Sequence, residues 1–234
     1  MKSFGTITPS SNIIVERVTL AMTRDIADVS PHFARFGFAG PSDTVVEDYH
    51  WASMMGAAQL LADAHVDLIC WNGSKGGELG FDRDRVLCKR IEDEFGIPAV
   101  TSVLALDSLL SSNGIKRIAF VTPFRQEAND NIMRGWSAAG YDCVANLGAG
   151  LSDNFSYSTM APETLAAMAR RVAAAKPDAI LFYCTNLPGA GLCAALEEEL
   201  DLPVLDSVSA GVWGALSGLG LGSSLPATWG RLLR

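Results

Sequence analysis

The sequence predicts an α/β protein built from parallel β-sheets in two similar lobes. Two observations carry this. Apolar runs of about five to seven residues alternate with longer segments of helical period, the pattern of βαβ units. In addition, residues 1–113 and 114–220 repeat one plan. Ile7-Thr8-Pro9 opens the first copy as Val121-Thr122-Pro123 opens the second. Asp67 and the apolar run before Gly73 match Asp178 and the run before Cys184. Gly96-Ile97-Pro98 through Ser102-Val103 matches Asp201-Leu202-Pro203 through Ser207-Val208. The offset drifts from 114 (Thr8 to Thr122) through 111 (Gly73 to Cys184) to 105 (Pro98 to Pro203), which short insertions account for.

In chain order, strands are expected at 3–8, 66–71, 98–101, 116–121, 141–145, 178–183 and 203–206. Helices are expected at 45–64, 82–95, 103–113, 125–139, 162–175, 188–200 and 209–219. In the first helix Val45, Val46, Tyr49, Met54, Ala57, Leu60 and Leu61 recur with a period near 3.6. Gly96, Gly114 and Gly140 follow helical patterns, where a left-handed residue ends a helix. Two stretches, 23–43 and 146–161, carry no clear period; the second, with Gly148-Ala149-Gly150-Leu151-Ser152-Asp153-Asn154, reads as a loop over a cleft or as a surface connection.

Composition narrows the function. With 49% hydrophobic and 19% charged residues the chain can bury a substantial core. A net charge of −8 supplies no basic stripe for phosphates, so nucleic acid is not an expected partner. An anionic small molecule stays compatible, because backbone N–H groups can hold a carboxylate in an acidic protein. No apolar run reaches membrane-spanning length and the first residues lack a signal-peptide core, so a cytoplasmic protein is expected. The five cysteines, Cys70, Cys88, Cys143, Cys184 and Cys193, are odd in number and lack metal-type spacing; reduced thiols and no metal are expected.

Cys184 is the candidate catalytic residue. It follows an apolar strand and precedes Thr185-Asn186-Leu187-Pro188, where a helix is expected to begin. Ligands of parallel α/β sheets gather beyond the carboxyl ends of strands. Helix N–H groups there would lower the thiol pKa and bind an anion. Taken alone, such a cysteine packs as a small hydrophobe; its setting favours chemistry. The other four cysteines fall inside strands or helices and read as packing residues. His32, His50 and His65 all precede the first turn, so no Cys–His pair is evident in sequence.

The equivalent turn of the first copy, Asn72-Gly73-Ser74-Lys75-Gly76-Gly77, is Gly-rich but is neither a phosphate-binding P-loop nor a dinucleotide fingerprint. Its N–H groups and the Ser74 hydroxyl could hold a carboxylate. Lys75 adds charge there or is an ordinary solvated lysine. Asn12, with Ser10 and Ser11 before it, sits just past the first strand and either binds a carboxylate or caps the next helix.

Taken together, Pro9-Ser10-Ser11-Asn12, the 71–77 turn, Thr122-Pro123-Phe124 and Cys184-Thr185-Asn186-Leu187 resemble the aspartate/glutamate racemase superfamily, in its branch of maleate cis–trans isomerases and arylmalonate decarboxylases. The resemblance covers essentially the whole chain. It implies two Rossmann-like lobes about a pseudo-two-fold axis, residues 1–105 with 209–234 against 106–208, and a cofactor-free site in the cleft between them. Racemases and isomerases of the family use one cysteine from each lobe; here the first position is Gly73, as in the decarboxylases. The resemblance thus implies Cys184 as the proton donor, with Asn12, Ser74, Lys75, Thr185 and Asn186 around a carboxylate and Pro9, Ser10, Gly73 and Phe124 lining the cleft. Two departures stand out. Ser74-Lys75 replaces a Thr-Ser pair, and Phe124 replaces a tyrosine whose hydroxyl is worth about 2–3 kcal/mol as a donor; Lys75 is the candidate replacement. Asn12 and Asn186 look more like the isomerase type. The expected activity is cofactor-independent chemistry on a small mono- or dicarboxylate, with decarboxylation of a substituted malonate leading. Maleate-type isomerisation is the alternative, and a non-catalytic carboxylate sensor is the reading from another class. The sequence leaves homo-oligomerisation open.

Overall fold

The computed structural model describes residues 1–38 and 48–233. Two four-stranded, all-parallel sheets carry the molecule. The first contains β1 (Lys2–Pro9), β2 (Val29–Phe36), β3 (Leu68–Trp71) and β4 (Ala99–Thr101), ordered β2-β1-β3-β4. The second contains β5 (Arg117–Phe124), β6 (Asp142–Leu151), β7 (Ala179–Phe182) and β8 (Val204–Asp206), ordered β6-β5-β7-β8. The two orders are the same order shifted by four strands, and this is the expected duplication in structural form.

Equivalent residues make equivalent bonds. The Ile69 and Ile180 N–H groups donate to Pro98 and Pro203 carbonyls, and those of Asn72 and Tyr183 donate to Ile7 and Val121 carbonyls. The Asp67 and Asp178 carboxylates accept from the N–H groups of Ser3 and Arg117 at the starts of β1 and β5. Gly96 and Asp201 both adopt left-handed backbone, with φ of 67° and 50°.

Helices cover the sheets: α1 (Val15–Thr23), α2 (Trp51–Asp63), α3 (Gly76–Leu79), α4 (Phe81–Phe95), α5 (Ser102–Ser112), α6 (Gln126–Ala138), α7 (Asn154–Ser158), α8 (Pro162–Ala173), α9 (Cys193–Leu200) and α10 (Ser207–Gly218). β3 is buried on both faces. Leu68 and Cys70 join the core shared with α5 and α10, while Ile69 and Trp71 join a second core with α2 and α4. α10, although it follows β8, packs against α1, α5, β3 and β4 of the first sheet.

All seven expected strands are present. The eighth, β2, lies in the stretch without a clear period. It is an edge strand paired only with β1, and it tolerates Pro31 for that reason. The 146–161 stretch splits into the end of β6 and the short α7. The expected 45–64 helix begins at Trp51; Val45 and Val46 lie outside the described residues. The expected 188–200 helix is replaced at its start by an irregular turn and a 3₁₀ turn at Ala190–Leu192 before α9.

Candidate active site

Beyond the carboxyl ends of β1, β3, β5 and β7 the two lobes face each other across a cavity of about 90 Å³. Pro9, Asn12, Gly73, Ser74, Lys75, Phe124, Cys184 and Thr185 all line it. Both turns of the repeat thus reach one space, and eight of the ten residues singled out from sequence meet there.

The remaining two stand apart from its wall. Ser10 is exposed, and its hydroxyl is bonded to the Phe38 backbone. Asn186 is buried, and its carboxamide is spent as a clamp: Oδ1 accepts from Ile13 N–H at 3.0 Å, and Nδ2 donates to the Asn154 carbonyl at 2.6 Å. Asn12 does line the cavity, but its carboxamide is also engaged. Oδ1 accepts from the N–H groups of Ile14 and Val15 at the start of α1, and Nδ2 donates to the Thr185 carbonyl at 3.0 Å. Asn12 thus bonds the start of α1, and the same side chain ties the first lobe to the thiol turn.

Cys184 is buried against the cavity. Because no helix begins at Pro188, no helix N-terminus lowers its pKa. Burial instead pushes the thiol up to about 12, while the Asn186 N–H, 3.4 Å from Sγ, pulls the other way. Asp206 adds to the upward push. Its Oδ1 caps α10 by accepting from Val208 and Ser209 N–H groups, whereas its Oδ2 has no hydrogen-bond partner among the described residues, and burial pushes this carboxyl up to about 7. The thiol is therefore protonated at neutral pH, suited to giving a proton and poorly suited to attacking carbon.

The other cysteines behave as packing residues: the thiols of Cys70, Cys143 and Cys193 point at the carbonyls of Gly211, Met133 and Gly189. The fold also brings His50 to the cavity lining, where its ring packs edge-on to Phe38 at 5.8 Å.

On the same cavity the Gly73 position is closed as well as unreactive. A Cβ built on Gly73 would lie 2.0 Å from Trp71 Cζ2. The indole fills the space a first-lobe thiol would need. Behind the turn, the buried Asp84 carboxyl accepts from Tyr49 and Thr101 hydroxyls; burial raises it to about 6 against those two donations. Lys75 does not project a bare charge: Nζ sits 2.8 Å from Glu78 Oε2, and both side chains are largely buried. Ser74 and Lys75 lie immediately before α3, with Lys75 at its N-terminal boundary.

Sequence reasoning missed much of the wall. Phe36, Phe38, Tyr49, Met54 and Trp71 form an apolar side from the first lobe, and Asn154 and Tyr157 come from the second. Asn154 also donates to Ser11 Oγ at 2.7 Å, bridging the lobes. Its signal was the aperiodic stretch after β6. Tyr49, Met54 and Trp71 carried none, because a cavity wall and a core face share the same apolar pattern.

The family model for arylmalonate decarboxylase matches residues 49–233. The chain belongs to the arylmalonate decarboxylase family. Curated relatives include the maleate isomerase of Nocardia farcinica, 28% identical over 135 residues that span 57% of this chain and 53% of that protein. They also include the arylmalonate decarboxylase of Bordetella bronchiseptica, 24% identical over 163 residues, or 67% of this chain and 68% of that one. The matched region thus spans about half the length of the maleate isomerase relatives. In fold, the chain superposes on a maleate isomerase from Pseudomonas putida S16 with a TM-score of 0.87 at 24% identity, covering 99% of this chain and 97% of that one. Among the described residues no cluster of three His, Cys, Asp or Glu could hold a metal, and no helix is long and apolar enough to cross a membrane.

Proposed function

We propose that this family member is a cofactor-independent decarboxylase of a substituted malonate. The carrying observation is that the cavity holds a protonated thiol at Cys184 and, at the repeat-equivalent position, a glycine whose side-chain space is filled by Trp71. Decarboxylation needs one proton donor, whereas two-base racemisation needs a second acid on the opposite face.

In this reading one carboxylate lies against the Ser74 and Lys75 N–H groups with the Ser74 and Thr185 hydroxyls. Lys75, balanced by Glu78, adds a donor where Phe124 lacks a hydroxyl. The apolar side of Phe36, Phe38, Tyr49, Met54 and Trp71 takes the uncharged substituent. The second carboxylate leaves as carbon dioxide. Its C–C bond electrons pass into an enediolate held by the same N–H groups, and Cys184 gives its proton to the carbon. The resulting thiolate is supported by the Asn186 N–H and regains a proton from solvent.

The alternative, maleate-type isomerisation, is supported by the maleate isomerase relatives. It asks Cys184 to add to an alkene as a thiolate, which its burial opposes. Incubating the protein with phenylmalonate, methylphenylmalonate and maleate, followed by NMR, separates the readings. Carbon dioxide loss from a malonate, abolished by Cys184→Ala, is expected. Conversion of maleate alone would replace the proposal by the isomerase, and binding without turnover by the sensor.

A further inference from the structure

Cys184 is preceded by Tyr183, whose side chain takes the opposite direction, away from the cavity and into the interface with the first lobe. Its N–H still bonds to Val121 of β5, so the residue sits in the sheet register. Its ring lies edge-on to Phe120 and Trp136, with centroids 5.5 and 5.7 Å apart. Its hydroxyl donates to the Ser74 carbonyl at 2.6 Å. That carbonyl also accepts from Gly77 N–H, the bond that starts α3. The turn has no slack on this side. A Cβ on Gly77 would meet Tyr183 Oη at 1.9 Å, and a Cβ on Gly135 of α6 would meet the Gly77 carbonyl at 1.8 Å. Two glycines, one on each lobe, thus let the 74–77 turn seat directly on Tyr183 and α6.

From this we infer that Tyr183 is a positioning residue: its hydroxyl's bond to the Ser74 carbonyl sets where the carboxylate-holding turn of one lobe stands relative to the thiol of the other. Successive residues of an extended segment point to opposite sides, so a single two-residue step carries both the proton donor and the strut that fixes its distance from the bound carboxylate. The inference rests on the proposed function in one respect, that the 74–75 turn holds the substrate carboxylate. Misplacing reacting groups by about 1 Å costs up to about a hundredfold in rate, so the strut is expected to affect alignment more than affinity.

Iodoacetate tests this without requiring turnover. Its carboxylate binds where the substrate's would, Cys184 Sγ attacks its methylene, a C–S bond forms, iodide leaves, and the thiol proton goes to solvent. Iodoacetamide lacks the carboxylate. The ratio of the two rates at Cys184, followed by mass spectrometry of the Cys184 peptide, cancels the thiol's own reactivity and reads alignment. The wild type should favour iodoacetate, and Tyr183→Phe should lower the ratio about tenfold. Phe120→Leu, which disturbs the same ring cluster without touching the turn, should leave it unchanged. Gly135→Ala, which pushes the turn while keeping every hydroxyl, should lower it too and serves if Tyr183→Phe fails to fold. For a turned-over malonate, kcat should fall with KM within about threefold. An unchanged ratio in both Tyr183→Phe and Gly135→Ala, or an equal fall in Phe120→Leu, would overturn the positioning role while leaving the proposed activity standing. A wild type with no preference for iodoacetate would instead remove the carboxylate site on which both rest.

Discussion

Replacing Gly73 by cysteine would place a second thiol across from Cys184, and the structure sets the terms on which this can work. The new Cβ would lie 2.0 Å from Trp71 Cζ2, where ordinary contact begins at 3.4 Å, so the indole must retreat by at least 1.4 Å. Trp71 is buried and packed against Phe36 and Tyr49, with centroids 5.6 and 6.2 Å away, and it has little room to do so. Overpacking of this kind costs about 1–3 kcal/mol, a drop in melting temperature of roughly 3–10 °C for a chain of this size. Gly73→Cys alone is therefore expected to be destabilised, with its thiol displaced and little racemisation of an α-substituted product. Trp71→Phe trims the clashing atoms. The double variant should recover part of the stability and exchange the α-proton of the product from both faces. The assay is deuterium incorporation in heavy water read by NMR, together with chiral chromatography of the recovered product. Wild type should label one face. A single variant as stable as wild type would refute the closed wall. A stable double variant whose product stays single-handed would refute the placement of position 73 opposite the thiol.

Further expectations follow from the same geometry. Cys184→Ala should cut malonate turnover by orders of magnitude while ligand binding, measured calorimetrically, stays nearly intact, since the thiol meets the reacting carbon and not the carboxylate. Ser74→Ala should weaken binding and turnover alike by about 1–3 kcal/mol; a loss in turnover alone would place its hydroxyl elsewhere. The iodoacetamide rate at Cys184 should still be climbing between pH 9 and 11, because burial holds the thiol well above its ordinary range; a plateau by pH 9 would contradict that. The buried Asp206 carboxyl is raised in the folded chain, so its contribution to stability is whole below its unfolded pKa and is lost as pH rises through about 7. Its share amounts to about 2–3 kcal/mol between pH 5 and 8. Asp206→Asn keeps the helix-capping oxygen and should flatten that slope in denaturant titrations.

The fold was legible because its signals are local and doubled. Each buried strand is a short apolar run, each main helix has its own period, and the repeat of Asp67 in Asp178 and of Pro98 in Pro203 checks one lobe against the other. β2 escaped because an edge strand with one partner need not be apolar throughout, and its Pro31, His32 and Arg35 break the pattern. The site was legible where chemistry constrains residue type at a strand end: Cys184, Ser74, Thr185 and Asn12 all reach the cavity. The roles were harder. A carboxamide reads the same in sequence whether it faces a ligand or a backbone, and Asn12 and Asn186 turn out to hold the thiol turn against the first lobe.

The charge state of Cys184 shows why such roles resist a local reading. In sequence, a thiol followed by a helix start points to a lowered pKa. In the fold the helix begins nine residues on, at Cys193, after an irregular turn and a 3₁₀ turn. What acts on the sulfur is burial first, then one N–H donor, Asp206 from the neighbouring strand end, and the charges of Lys75, which lowers the pKa, and Glu78, which raises it. Each of these comes from distant sequence or from the exact course of a turn. Their sum reverses the expected direction of the pKa shift and leaves the thiol protonated, the form that the expected proton-donor role needs. With Trp71 filling the side-chain space at Gly73, a protonated thiol supports the proposed transfer of a single proton over covalent addition by a thiolate.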